Sequence, residues 1–423
     1  MRSTLFAACI LLASAVTGNA QDTCSQPRQK ESAAAVASIR MKLRSVKLEE
    51  MDTNVPETAQ QLIPQLKSAL AQTSRAVLAC HNSAIDPHAL ESEIAILLHA
   101  NPPQPPPNSV VKNGDPRYPE WLSEKYGSNL LVSVRRPQPQ LLSVQFQFHI
   151  ECGDDTALVL FEQQGTQWHE KLVWQAPPYK EISGAFGDFF LTSILSGDAP
   201  GTWKVVAAHG TPWCTSRFSG FDLDVLAPSS DDPDHPRVVW HTQRGYSRFD
   251  YEPRLRAAGD TFELRLHDDE MVFDLDDAFE RLVVYRYRVS GDKVTRIEPV
   301  AAHARGFVEE WLNMPWEEAA AQSDPAQAGK LQAVHKQYEV SFKNTDDYTN
   351  WRSGSVQACN TYDRFQVIMT TERDRIVPGK PGGESTPGPT YYFQLQQDNG
   401  YRLLAITATP DPSCTGPDLM KKQ

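Results

Sequence analysis

The sequence predicts a mainly β, multi-domain protein with an N-terminal helical module, a central antiparallel β domain and a small C-terminal α+β domain. The central domain is expected to be a sandwich or propeller-like. Three observations carry this reading. Apolar residues recur at helical spacing up to residue 100 and at strand spacing from about 127. The proline-rich "NPPQPPPN" at 101–108 separates the two regimes. Helical spacing returns at 304 and gives way to strand patterns before the chain ends.

Residues 1–20 have the form of a signal peptide. Arg2 supplies the positive start, Leu5 to Val16 the apolar run, and Gly18 and Ala20 the small residues before a cleavage point. Twelve apolar residues are too few to cross a membrane, which needs about 20. The expected mature chain is therefore exported, periplasmic or secreted, with no transmembrane segment. Cleavage leaves 423 − 20 = 403 residues, with 41 − 1 = 40 basic against 53 acidic side chains. That excess of acid argues against nucleic acid as a partner, since phosphate backbones call for clustered Lys and Arg. Arg135-Arg136 and Lys421-Lys422 are isolated pairs.

Six cysteines remain after cleavage: Cys24, Cys80, Cys152, Cys214, Cys359 and Cys414. An even number in an exported chain reads as a disulfide framework. Spacing favours neighbours, 24 with 80, 152 with 214 and 359 with 414, each bridge contributing about 4 kcal/mol on a loop-entropy argument. Cys214 lies in "HGTPWCTSRFSGFD" (209–222), where His209 would be the partner of a nucleophilic thiol. No helix start follows to lower the thiol pKa, so a cystine is the expected state.

Three helices are expected over 29–100. Val36, Ile39, Leu43 and Val46 form one stripe; Leu62, Leu66, Ala69, Leu70, Val77 and Cys80 form a second, with Pro64 kinking that helix or lying near its start. Asp86 and Pro87 supply an N-cap and first position for the third, which carries Leu90, Ile94, Leu97 and Leu98. These stripes could also dock a partner chain. Residues 101–126 then read as a linker.

Over 127–303 the period falls to two. "LLSVQFQFHIEC" (141–152) alternates as a half-buried strand, and 157–174 and 281–300 read as hairpins turning at Gly165 and Gly291. Asp222 and Asp224 alternate with Phe221, Leu223 and Val225 and are expected to face outward. From 304 to 423, helices about Phe307 and Trp311 precede strands expected around Tyr338–Phe342, Val356–Thr371 and Tyr391–Thr407, with 377–390 as an irregular Gly/Pro loop. This order of elements resembles nuclear-transport-factor-like and cystatin-like α+β domains, with no motif behind the likeness.

The chain lacks G-x-S-x-G, H-E-x-x-H, C-x-x-C and phosphate-cradling glycine motifs, and no cofactor is expected. The acidic "HDDEMVFDLDDAFE" (267–280) offers Asp268, Asp269, Asp274 and Asp276 as calcium candidates. An EF-hand register from Asp274 fails, because position 6 is Phe279 and position 12 is Tyr285. The plain alternative is a solvated loop. His209, Trp213 and Arg217 form the candidate ligand-binding set, an aromatic and a guanidinium on a pinned loop. The expected function is a non-catalytic binding or envelope-associated protein for an extracellular or envelope ligand. The alternative is a hydrolase of glycan or peptide using Asp and Glu groups of the β domain, which would show as a concave cleft lined by perturbed carboxylates.

Overall fold

The computed structural model describes residues 24–47, 55–102, 125–150, 153–176, 189–199, 201–211, 218–229, 232–247, 253–272, 277–341, 347–377 and 383–420. The chain is mostly β, with four antiparallel four-stranded sheets and an N-terminal helical region. No helix among these residues is long and apolar enough to cross a membrane.

Helices α1 (Gln26–Arg44), α2 (Glu57–Leu78) and α3 (Pro87–Leu98) match the three stripes. Asp86 caps α3 by accepting from the Ala89 amide at 3.0 Å. Helix α2 begins seven residues ahead of Pro64 and runs through it. An interior proline costs about 3 kcal/mol. Ile63, Leu66, Leu70 and Val77 are buried to 1% exposure or less, and at about 2 kcal/mol each they outweigh that cost. A disulfide from Cys24 to Cys80 ties the start of α1 to the end of α2, as the spacing predicts.

The first sheet runs β1 (Leu131–Gln138), β2 (Leu141–Ile150), β3 (Gly153–Gln164), β4 (Gln167–Gln175) in simple up-and-down order. The helices lie against it in one shared core. In β3 every residue from Asp155 to Phe161 is buried, the mark of a strand covered on both faces. The second sheet, β5 (Phe190–Ser196), β6 (Trp203–Thr211), β7 (Phe218–Ala227) and β8 (Arg237–Ser247), repeats the meander. Its Val205, Ala207 and Leu226 join the core of the first sheet. Its Val206, Ala208, Leu223 and Val225 join a separate core with the third sheet. The second sheet is therefore an inner layer.

The third sheet contains β9 (Arg254–Ala258), β10 (Thr261–Val272), β11 (Asp277–Ser290) and β12 (Lys293–Arg296). Residues 267–272 and 277–280, read as part of a calcium candidate or a solvated loop, continue β10 and β11. The backbones of Asp268 and Asp269 pair opposite Arg281 and Glu280, and Asp274 and Asp276 lie outside the described residues.

The C-terminal unit has α4 (Ala304–Asn313), α5 (Trp316–Ala321) and α6 (Ala328–Val340), then β13 (Asp347–Ala358), β14 (Arg364–Arg375), β15 (Glu384–Gln397) and β16 (Tyr401–Thr407). The strand expected from Tyr338 is instead the end of α6, because Leu331, Val334 and Tyr338 all meet the core at helical spacing. The stretch from Val356 to Thr371 is two strands joined by a turn, and Cys359 at that turn bridges to Cys414 as predicted. Strand β15 reaches back into the Gly/Pro stretch. Pro387 and Pro389 are tolerated there because β16 pairs only from Tyr392 onward, leaving the earlier half an edge.

Arg296 of β12 joins the third sheet to this unit. Its guanidinium, fully buried, lies 3.2 Å from the Glu310 carboxylate of α4 and 4.7 Å from the Tyr285 ring centroid. Arg244 of β8 adds a 2.7 Å hydrogen bond to the Asn313 carbonyl.

Candidate functional site

Two places gather chemistry. The first lies between the first two sheets, where His209 sits opposite Asp222 across the β6–β7 ladder, and Asp224 opposite His241 across β7–β8. All four project on the face away from the Phe221, Leu223 and Val225 core, as alternation predicts. That face meets solvent at the His241 edge, where the side chain is 52% exposed. Over His209 and Asp222 it is covered by the first sheet, so Asp222 is 5% exposed and His209 2%. The expectation of an outward-facing Asp222 is corrected on this point, because a period of two reports faces and cannot tell water from a second layer.

His209 Nε2 lies 3.7 Å from Asp222 and 3.9 Å from Asp224, too far for hydrogen bonds. His241 Nδ1 meets Asp224 at 2.7 Å near the edge of the sheet. Burial is the main reason the His209 pKa falls to about 4, against a smaller upward pull from Asp224. Burial likewise lifts Asp222 to about 6. The Asp224 hydrogen bond raises His241. Trp174 of β4 sets its ring edge-on to His209 at 5.0 Å. Behind it, Lys67 of α2 pairs with Asp155 of β3 at 2.8 Å, both side chains almost wholly buried. An aspartate poised near 6 beside a neutral imidazole is suited to proton transfer. The opening beside His209, lined by Trp174, Phe190, Asp155 and Thr156, holds about 30 Å³, room for a water or two but not for a sugar ring.

The second place is wider. A cleft of about 500 Å³ opens where the turns of three sheets converge, within the range of small-molecule sites. Glu162 and Lys171 come from β3 and β4, Asp198 and Lys204 from the β5–β6 hairpin, Arg237 from the start of β8 and Asp292 from the β11–β12 turn. Gly197 and Gly201 shape the hairpin: a Cβ at 197 would collide with Thr202, and Gly201 has φ +80°. Trp203 at the floor donates its indole N–H to Glu162 at 2.9 Å. Lys204 holds Asp198 at 2.8 Å, and Arg237 grips both oxygens of Asp292 at 2.7 and 3.0 Å. These cations hold the Asp198 and Asp292 carboxyls below the usual carboxylate range. The cleft's two rim aspartates are thus fixed as anions, suited to holding charge in place and not to exchanging protons. The five steps along β6 from Lys204 to His209 part this cleft from the histidine cluster by about 17 Å at strand rise.

Of the predicted binding set, His209 is an interior residue, and Trp213 and Arg217 lie outside the described residues, as do Cys152 and Cys214. No group of three or more His, Cys, Asp or Glu among the described residues is arranged to hold a metal. Sequence reasoning missed Lys67 and the cleft. Lys67 interrupts the apolar stripe between Leu66 and Leu70, a legible sign of a buried charge. The cleft carries no such sign, because its charged groups are spread from 162 to 292. No protein-family model matches the chain, and no curated protein matches its sequence.

Proposed function

We propose that this is an exported binding protein whose ligand site is the cleft at the converging turns of the first three sheets. The observation that carries the reading is a separation. Asp222, lifted to about 6, is beneath a layer of protein with space for a water, Glu298 and Glu318, also raised by burial, lie outside the open cleft, and the cleft's Asp198 and Asp292 are kept as anions by their own cations. A hydrolase needs both features in one place. Export is supported by the two disulfides among the described residues and by the apolar start of the chain. Three consecutive meanders stacked through shared cores favour the propeller-like alternative for the β region.

The test is turnover. Oxidised protein with chromogenic polysaccharides and peptides is expected to release no product above that of the D222N/D224N variant. Product release that those two substitutions abolish replaces the binding reading with the hydrolase.

A further inference from the structure

We infer that the cleft between the turns takes a small organic polyanion bearing carboxylates, such as a sugar acid or a compact polycarboxylate. The inference rests on the cleft's being the ligand site. It follows from which hydrogen-bonding capacity is already used. Glu162 Oε1 accepts from Trp203, and its Oε2 lies 4.0 Å from the Lys171 ammonium. Asp198 accepts from Lys204 through one oxygen and from the Gly291 amide through the other, the latter at 2.8 Å. Both oxygens of Asp292 are taken by Arg237. Each of the six carboxylate oxygens therefore already faces a donor.

The donors are in a different position. An ammonium carries three N–H groups and a guanidinium five. Among the described residues Lys171 makes only the 4.0 Å contact, Lys204 makes one hydrogen bond, and Arg237 uses two N–H groups. Formal charge among these six side chains balances and the carboxylate oxygens keep second lone pairs, yet among the described residues Lys171 alone of the six makes no hydrogen bond. A guest must bring acceptors. A cationic guest would meet carboxylates already neutralised by their own cations, and the hydroxyls of a neutral guest would offer Lys171 only weaker, uncharged acceptors. Carboxylates match them best, since the free edge of a guanidinium and a lysine ammonium both form charge-assisted hydrogen bonds with an anion. The volume of about 500 Å³ limits the guest to roughly disaccharide size.

The donors come from separate layers, Lys171 from the first sheet and Lys204 and Arg237 from the second, so one guest would bridge them. Lys171 has side-chain exposure of 31% and no hydrogen bond to lose, which makes it the cleanest position to alter.

Calorimetric titration of the full oxidised chain at low salt, with digalacturonate, citrate, lactose and a cationic dipeptide amide, tests this. Digalacturonate or citrate is expected to bind, and whichever binds tighter separates a sugar acid from a compact polycarboxylate. K171Q and R237Q should each weaken that binding at least fivefold, with circular dichroism unchanged. K171R should retain it. If lactose or the cationic dipeptide binds instead and R237Q abolishes that binding, the anion assignment fails while the cleft remains the ligand site. If an anion binds but both variants leave its affinity unchanged, the cleft is not the site and both conclusions fall.

Discussion

His209 and Asp222 are shifted in opposite directions by the same cause, the removal of water from their charged forms. The consequence for stability follows from proton counts. His209 has a folded pKa of about 4, below its ordinary 6.5. Between those values the unfolded chain binds more protons, so this residue makes stability rise with pH. Asp222 has a folded pKa of about 6, above its ordinary 3.8. Between those values the folded chain binds more, so it makes stability fall as pH rises. Across pH 4 to 6 the two effects oppose, and together they leave little net slope. Relative to the parent, D222N should gain stability as pH rises from 4 to 6, and H209Q should lose it, by about 1.4 kcal/mol per pH unit at most. Urea unfolding at half-unit pH steps reads both slopes; parallel profiles for the two variants would contradict the assignment. Lys67 supplies a second test. K67A takes the ammonium away from the buried Asp155 carboxylate and should cost about 3–5 kcal/mol, whereas K67M/D155L should recover most of that loss.

Single elements differ in how much they declare in advance. Helix α3 is legible to the residue because a side-chain cap, a first-turn proline and an apolar stripe agree. Strand β15 is not. Its first half contains two prolines, and only its position at an unpaired edge permits them, which is a property of the neighbouring strand's length. The same limit explains Asp222. Alternation placed it on the correct face of β7, but the covering of that face by another sheet depends on a contact distant in sequence. Pro64 gives an element-scale prediction. Its φ already suits α2, and replacing it restores an amide to the ladder. P64A should therefore stabilise the chain by about 1–2 kcal/mol, the gain of helix propensity less the freedom returned to the unfolded state. Thermal unfolding reads the change, and a lower midpoint would show that α2 depends on the proline. Loss of the Cys24–Cys80 bridge in C24S/C80S should cost about 2–5 kcal/mol in the same assay.

At the scale of the whole molecule, the layers are held by buried charges as well as by apolar contact. Arg296 and Glu310 pin the third sheet to α4, and R296M should cost about 3–5 kcal/mol because it takes the guanidinium away from a buried carboxylate. Two-probe unfolding should then show the C-terminal unit melting ahead of the sheets; a single coincident transition in R296M would mean that the apolar contacts suffice. The stacking also sets where function can lie. An inner sheet can hold reactive groups but not present them, while the turns at its end remain open and carry charged residues from three layers. Amide hydrogen exchange of the unliganded chain tests this placement most directly. The account predicts that amides at 205–209 and 222–226 exchange only through global unfolding, while those of the 197–202 turn exchange quickly. Rapid exchange at 205–209 and 222–226, at rates like the turn's, would mean that this sheet opens to solvent, and would contradict the claim that His209 and Asp222 are interior.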